Sequence, residues 1–125
     1  MKNVVIIIPT YNESGNVTPV TKALGKVFNT LSSDYSPMIL FVDDQSPDGT
    51  STVIRTLIKK YPYVKLLENK RKGGLGHAYK KGMIYATDKL KADIVFEFDA
   101  DLSHDPTKIP QMLDSIKSGS DRFSG

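Results

Sequence analysis

The sequence predicts an α/β protein built on a Rossmann-like open, mainly parallel sheet with helices on both faces. Three observations predict it. Short apolar runs alternate four times with segments of helical period. The runs are apolar almost throughout instead of alternating with polar residues, as expected of strands buried on both faces. Strand–helix–strand units close by right-handed crossovers, which cover such a sheet on both sides.

Val4–Ile8, all β-branched, is the first strand, and the loop Pro9 to Gly15 follows it. Asn16 stands at an N-cap position, and Val17, Val20, Leu24, Val27 and Leu31 form a helical stripe. Pro19 falls in the first turn, where its missing N–H costs little. The second strand, Met38–Val42, ends in Asp43-Asp44, and Gln45-Ser46-Pro47-Asp48-Gly49-Thr50 is a turn by composition, with Asp48 expected to cap the next helix. Val53, Ile54, Leu57 and Ile58 give that helix its apolar face. Val64–Leu67 is the third strand; the basic, glycine-rich stretch Asn69 to Gly76 leads into a helix reaching about Leu90. Ile94–Phe98 is the fourth strand. A last helix, starting near Pro106, carries Ile109, Met112, Leu113 and Ile116, with Gly119 as its stop. Ser120 to Gly125 reads as the approach to a further strand.

The 125 residues make one domain, 1–125, with 39% hydrophobic and 25% charged residues. Seventeen basic against 14 acidic residues leave a net charge of +3, too small a surplus to argue nucleic-acid binding. Without cysteine there is no disulfide framework, thiolate chemistry or zinc–sulfur site. No run approaches the ~18 apolar residues of a membrane span, so any membrane contact within these residues is expected to be peripheral.

The unusual polar clusters all follow strands. Pro9-Thr10-Tyr11-Asn12-Glu13 follows the first, Asp43-Asp44 the second, Asn69–Gly76 the third and Asp99–Asp105 the fourth. In open α/β sheets ligands bind outside the carboxyl ends of the strands, so one rim is the candidate site. Asp99 and Asp101 stand at i and i+2; on an extended segment both face one side. Such a pair repels itself unless a cation sits between, and Mg²⁺ keeps one or two protein carboxylates while taking its other oxygens from phosphate and water. An Asp-rich turn capping the next helix is the alternative. Tyr11, Asn12 and Glu13 suit stacking on a base and hydrogen bonding to base or ribose. Adjacent Asp43 and Asp44 face opposite ways, one braced and one toward the crevice; Asp44 is taken as the ligand-facing member. The run Gly73-Gly74-Leu75-Gly76 is neither a Walker A loop nor a good dinucleotide fingerprint, although its helix N-terminus favours an anion. Lys70, Arg71 and Lys72 are suited to phosphate or form a solvated loop. His77 reads as a surface or packing residue, and His104 as a neighbour of the carboxylate pair.

Four segments run in the order of a known family: Ile8-Pro9-Thr10-Tyr11-Asn12-Glu13, Val42-Asp43-Asp44-Gln45-Ser46-Pro47-Asp48-Gly49-Thr50, Gly74-Leu75-Gly76-His77-Ala78-Tyr79, and Asp99-Ala100-Asp101-Leu102-Ser103-His104-Asp105-Pro106. They resemble the inverting nucleotide-sugar glycosyltransferases of family 2 with the GT-A fold. The Ser-Pro-Asp-Gly-Thr and Asp-Leu-Ser-His runs narrow the resemblance to the polyprenol-phosphate branch, dolichyl-phosphate mannosyltransferases in particular. The resemblance implies that 1–125 is the nucleotide-sugar-binding part of a longer catalytic domain, with the acceptor part beyond Gly125, and that the chain alone binds nucleotide poorly. It implies that Pro9, Tyr11, Glu13, Val42 and Asp44 line the nucleoside pocket for GDP-mannose. Asp99, Ala100 and Asp101 would meet the diphosphate and metal, with Asp99 and Asp101 the catalytic pair. Asp101 would be the principal ligand of Mg²⁺ or Mn²⁺. Ser103 takes a position where some relatives carry a glutamine of the metal shell, and a water would bridge its shorter side chain.

The implied partners are a nucleotide sugar and a polyprenyl or dolichyl phosphate, at the cytoplasmic face of a membrane, with no nucleic acid. A phosphate acceptor, already ionised, needs no general base. An unpaired edge on the last strand would invite dimerisation. Two other readings stand: a UDP-sugar enzyme of the same family acting on a polyprenyl phosphate or polysaccharide, and an inactive nucleotide-binding fragment. A receiver-like signalling module is disfavoured, because its acidic pair would follow the first strand.

Overall fold

The structure, a computed structural model, describes residues 1–69 and 73–117, without the side chain of Leu75. Strand β1 (Lys2–Thr10) leads to α1 (Val17–Phe28), β2 (Tyr35–Asp43), α2 (Thr50–Lys60), β3 (Val64–Glu68), α3 (Gly74–Asp88) and β4 (Ile94–Glu97). A 3₁₀ turn, Pro106–Lys108, then enters α4 (Ile109–Lys117). The four strands form one parallel sheet in the order β3-β2-β1-β4.

That order follows from handedness. The chain steps outward from β1 to β2 to β3, so right-handed crossovers put α1 and α2 on one face. It then returns past both strands to the far side of β1, which places α3 on the other face. The first face packs Val4, Ile6, Ile8, Ile39, Phe41, Phe96 and Phe98 beneath Val20 and Leu24 of α1, Ile54 of α2, and Ile109 and Leu113 of α4. The second packs Val5, Ile7, Leu40 and Val42 against Ala78 and Ala86 of α3. A Cβ on Gly82 would stand 2.9 Å from Ile7 Cγ2 and 3.0 Å from Val42 Cγ2. Ala78, Gly82 and Ala86, four residues apart, therefore form a strip of small side chains that seats α3 close to the sheet.

Several boundaries differ from those the sequence predicts. β1 and β2 are longer, because pairing extends from Lys2↔Tyr35 to Thr10↔Asp43. Pro9 thus lies in a strand and not in a loop. Backbone groups alternate in direction along a strand, and Ile7 O accepts the N–H of Phe98 on the β4 side. The nitrogen of Pro9, two residues on, faces that same side, where β4 pairing has already ended at Ile7↔Glu97. No ladder bond is lost, and the two strands separate there. Helix α3 begins at Gly74, inside the glycine run. Asn16 occupies the N-cap of α1 without capping it; its Nδ2 donates to Glu13 Oε2 at 2.6 Å instead. Among the described residues the outer edge of β4 has no strand partner. The expected stop at Gly119 and the tail from Ser120 lie outside the described residues, as do Lys70, Arg71 and Lys72.

Candidate active site

The parting of β1 and β4 is the switch point of the sheet, and a cavity of about 430 Å³ opens there. Pro9, Thr10, Tyr11, Glu13, Asp44, Gly74, Ala78, Asp99, Ala100 and Asp101 line it. The structure thus brings together Pro9, Tyr11, Glu13, Asp44, Asp99, Ala100 and Asp101 of the predicted site. It places two elsewhere. Val42, expected in the nucleoside pocket, has its side chain fully buried in the core beneath Gly82. Ser103 lies off the cavity wall and bonds to the two carboxylates that form it.

Asp43 and Asp44 divide the work as their alternation requires. Asp43 is buried and accepts from Thr10 Oγ1 at 2.8 Å, Ser46 Oγ at 2.6 Å and the Ser46 N–H at 3.2 Å. It fixes the turn after β2 to the end of β1. Asp44, also buried, reaches the cavity, and its two oxygens accept the N–H groups of Gly73 at 3.2 Å and Gly74 at 3.1 Å. The anion favoured at the start of α3 is therefore the protein's own. Gly74, at φ +82°, adopts a backbone in which other residues are strained.

The turn 45–50 clamps the loop after β1, whose Tyr11 and Glu13 line the cavity. The Asn12 N–H donates to Ser46 Oγ at 2.9 Å, the Glu13 N–H to Thr50 Oγ1 at 3.0 Å, and the Ser14 N–H to Asp48 Oδ2 at 3.2 Å. Asn12 and Gln45 both take left-handed backbones at φ 56°, which these bonds hold. Asp48 also accepts the Thr50 N–H at 3.0 Å, so it caps the first turn of α2 as expected and anchors the loop before α1 besides. The Thr50 hydroxyl bond holds its carboxyl below the ordinary range. Tyr11, 41% exposed, lies in the clamped loop and lines the cavity.

Asp99 and Asp101 are not on an extended segment. β4 ends at Glu97, and Ala100 and Asp101 lie in a turn in which Leu102 has φ 64°. Ser103 supplies what extension does not. Its hydroxyl donates to Asp99 Oδ2 at 2.9 Å and its N–H to Asp101 Oδ1 at 3.0 Å. The N–H of Ser103 is the main cause holding the Asp101 carboxyl below its ordinary range. Asp105 accepts the Thr107 N–H at 3.0 Å and caps the following 3₁₀ turn. His77 is exposed on α3. Tyr79, half-buried on α3, has its hydroxyl pushed up to about 12 by burial, then by Asp99 and Glu97.

Asp99 and Asp101 are the side chains on this wall able to hold a hard divalent cation. Among the described residues no three acidic, histidine or cysteine groups gather as a complete metal site. Two carboxylates with an all-oxygen surround suit Mg²⁺ or Mn²⁺, whose other ligands come from phosphate and water. Thr10, Gly74 and Ala78 line the cavity without having been singled out as site residues. The spacing of Gly74, Ala78, Gly82 and Ala86 was the signal available for the last two.

The sequence profile of Glycosyl transferase family 2 matches residues 5–124. The chain is 36% identical over 116 residues to the dolichol-phosphate mannosyltransferase of Pyrococcus furiosus, covering 93% of this chain and 30% of that protein. It is 38% identical over 115 residues to the undecaprenyl-phosphate mannosyltransferase of Micrococcus luteus, covering 92% and 44%. Among solved structures it resembles the mannosyltransferase PcManGT from Pyrobaculum calidifontis in complex with GDP-Man and Mn²⁺, with a TM-score of 0.63 and 29% identity over 78% of this chain and 27% of that one. S. aureus TarS 1-349 shares the fold, with a TM-score of 0.72 at 20% identity over 94% of this chain and 33% of that one. The architecture is that of the GT-A glycosyltransferases. The chain belongs to glycosyl transferase family 2 and spans less than half the length of these relatives.

Proposed function

We propose that this chain binds the donor of an inverting glycosyl transfer, holding GDP-mannose with Mg²⁺ or Mn²⁺ so that the mannosyl residue passes to a polyprenyl or dolichyl phosphate. The lining of the β1–β4 cavity carries the reading. Glu13, Asp44, Asp99 and Asp101 meet there, with no basic side chain among the described lining residues. An anionic diphosphate would be repelled by that wall unless a cation came with it. The helix N-terminus that would otherwise attract phosphate is already satisfied by Asp44.

Each wall has a role in this reading. Tyr11 offers its ring face to the base, and Glu13, beside Asn16, offers a carboxylate to a ribose hydroxyl. Asp99 and Asp101, the latter kept ionised by the Ser103 N–H, hold the cation against the diphosphate. A bound cation supplies positive charge as the sugar–oxygen bond breaks and negative charge develops on the departing nucleotide. The acceptor attacks from the opposite face, and an ionised phosphate needs no base to remove a proton. The choice of mannose and of a polyprenyl phosphate draws on the names of the two curated relatives. The choice of GDP and Mn²⁺ draws on the ligands of the archaeal mannosyltransferase.

No described helix is long and apolar enough to cross a membrane. A lipid-borne acceptor nevertheless places the reaction at a membrane surface, and we assign it to the cytoplasmic face with peripheral contact. The edge of β4, without a strand partner among the described residues, offers a second copy a place to pair.

Titrating the chain with GDP-mannose and UDP-glucose, each with and without Mn²⁺, and following backbone amides by NMR tests the donor assignment. Mn²⁺-dependent changes at Tyr11, Glu13 and Asp99–Asp101 with GDP-mannose alone support it; diamagnetic Mg²⁺ gives the companion spectrum. A stronger response to UDP-glucose moves the chain to the UDP-sugar reading. Because the chain alone is expected to bind weakly, the titration is carried to saturating nucleotide, and no response to either nucleotide there overturns donor binding.

A further inference from the structure

The loop that carries Asp99 and Asp101 is closed by a side chain that the donor reading does not use. Phe98 donates its N–H inward to Ile7 O at 3.0 Å. The N–H of Asp99, beyond the end of β4, makes no bond to β1. His104 Nδ1 accepts it at 3.2 Å. The imidazole lies 5.2 Å from the Phe98 ring, tilted 55°, and is half-buried. Between these two anchors run Asp101, the left-handed Leu102 and Ser103, whose bonds tie the two carboxylates together.

We propose that His104 is a positioning residue, fixing the orientation of the Asp99–Asp101 carboxylate pair through the backbone of Asp99. Accepting at Nδ1 requires the neutral tautomer with its proton on Nε2. A six-residue loop containing a left-handed leucine has no strand pairing to hold it open toward the cavity. The ring on Phe98 and the bond to Asp99 replace that pairing. The consequence for cation binding rests on the donor reading; the consequence for the loop does not.

Two substitutions separate these consequences. In His104→Asn an amide oxygen stands near the position of Nδ1, so the acceptor is kept. In His104→Phe the ring contact with Phe98 is kept and the acceptor is lost. In the ligand-free 125-residue chain, His104→Phe is expected to speed hydrogen exchange of the Asp99 amide by about tenfold. It should also shift the Asp99 and Asp101 carboxyl resonances, while His104→Asn stays close to the parent. For Mn²⁺-dependent GDP binding, His104→Phe should weaken affinity by about tenfold, as loss of a partner behind a metal ligand does. Metal-free GDP binding should be unchanged, and His104→Asn should restore the affinity. Parent-like Asp99 exchange in His104→Phe overturns the proposal, and so does equal loss of protection in both variants. If the parent chain shows no Mn²⁺-dependent binding, the donor reading fails, and the exchange and carboxyl shifts still decide the role of His104. If His104→Phe does not fold, retention of Asp99 protection in His104→Asn but not in His104→Gln supports the proposal, and protection in both overturns it.

Discussion

The carboxylate of Asp44, at the end of β2, accepts the N–H of Gly74, the first residue of α3, at 3.1 Å. A side chain on the cavity wall therefore also closes the start of the helix that covers half the sheet. Asp44→Asn keeps one acceptor and loses the charge. It should cost about 1 kcal/mol in denaturant unfolding, and Asp44→Ala up to about 2, the range for helix caps and dipole partners. The measured midpoints should order as parent, Asn, Ala.

Ser46 links the turn after β2 to the loop after β1, donating to Asp43 while accepting from Asn12. Ser46→Ala leaves the buried Asp43 with fewer donors and should destabilise the fold by about 1–2 kcal/mol. The Asn12 amide should lose protection from hydrogen exchange in the same variant, while amides in the middle of β1 keep theirs. Unchanged exchange at Asn12 would show that the clamp does not hold the Tyr11 loop.

Asp101 is exposed, and its bond to the Ser103 N–H survives as an acceptor in Asp101→Asn. The substitution should leave the thermal midpoint nearly unchanged and lower Mn²⁺-dependent nucleotide affinity by about tenfold or more. Unaltered affinity in the folded variant would remove Asp101 from the cation site.

Two groups give opposite pH dependences. The carboxyl of Asp48 lies below its ordinary 3.8, chiefly through the Thr50 hydroxyl. Its contribution to stability is present above pH 3.8 and is lost as the pH falls through its lower folded value. Tyr79, raised from 10.0 to about 12, contributes below pH 10, and that contribution is lost as the pH rises toward about 12. Asp48→Asn should flatten the acid limb, and Tyr79→Phe the alkaline limb, in unfolding measured across pH. The near-ultraviolet phenolate absorbance of the folded parent should show a late-titrating phenol that Tyr79→Phe removes, while Tyr63, also raised by burial, still titrates above the ordinary range.

What could be read in advance was set by local rules. The β-branched run Val4–Ile8 lies in strand β1, and the helical stripe holds from Val17 to Val27, while Leu31 lies beyond the end of α1 at Phe28 and packs on the core from the following turn. The rim was legible because strand ends collect ligand-binding residues, and adjacent Asp43 and Asp44 had to point apart. What escaped depends on contacts distant in sequence. Pro9 reads as a strand breaker until the departure of β4 shows that its nitrogen has no ladder to serve. The Ser-Pro-Asp-Gly-Thr run reads as a turn, but Ser46, Asp48 and Thr50 act on residues 34 to 37 positions earlier. Val42 precedes two residues that serve the rim, while its own side chain is buried against Gly82 of α3, a contact distant in sequence. Asp99 and Asp101 were placed correctly on the rim for an incomplete reason, since Ser103 and not strand geometry joins them.

Gly82, on the sheet-facing side of α3, acts as a spacer gauge for the rim. A bulkier residue there would lift the helix off Ile7 and Val42 and swing its amino end out of reach of Asp44. The nearest wall of the cleft would then move without any of its own residues being altered. The shape of the cleft thus depends on a contact about two helical turns away, at a residue outside its lining.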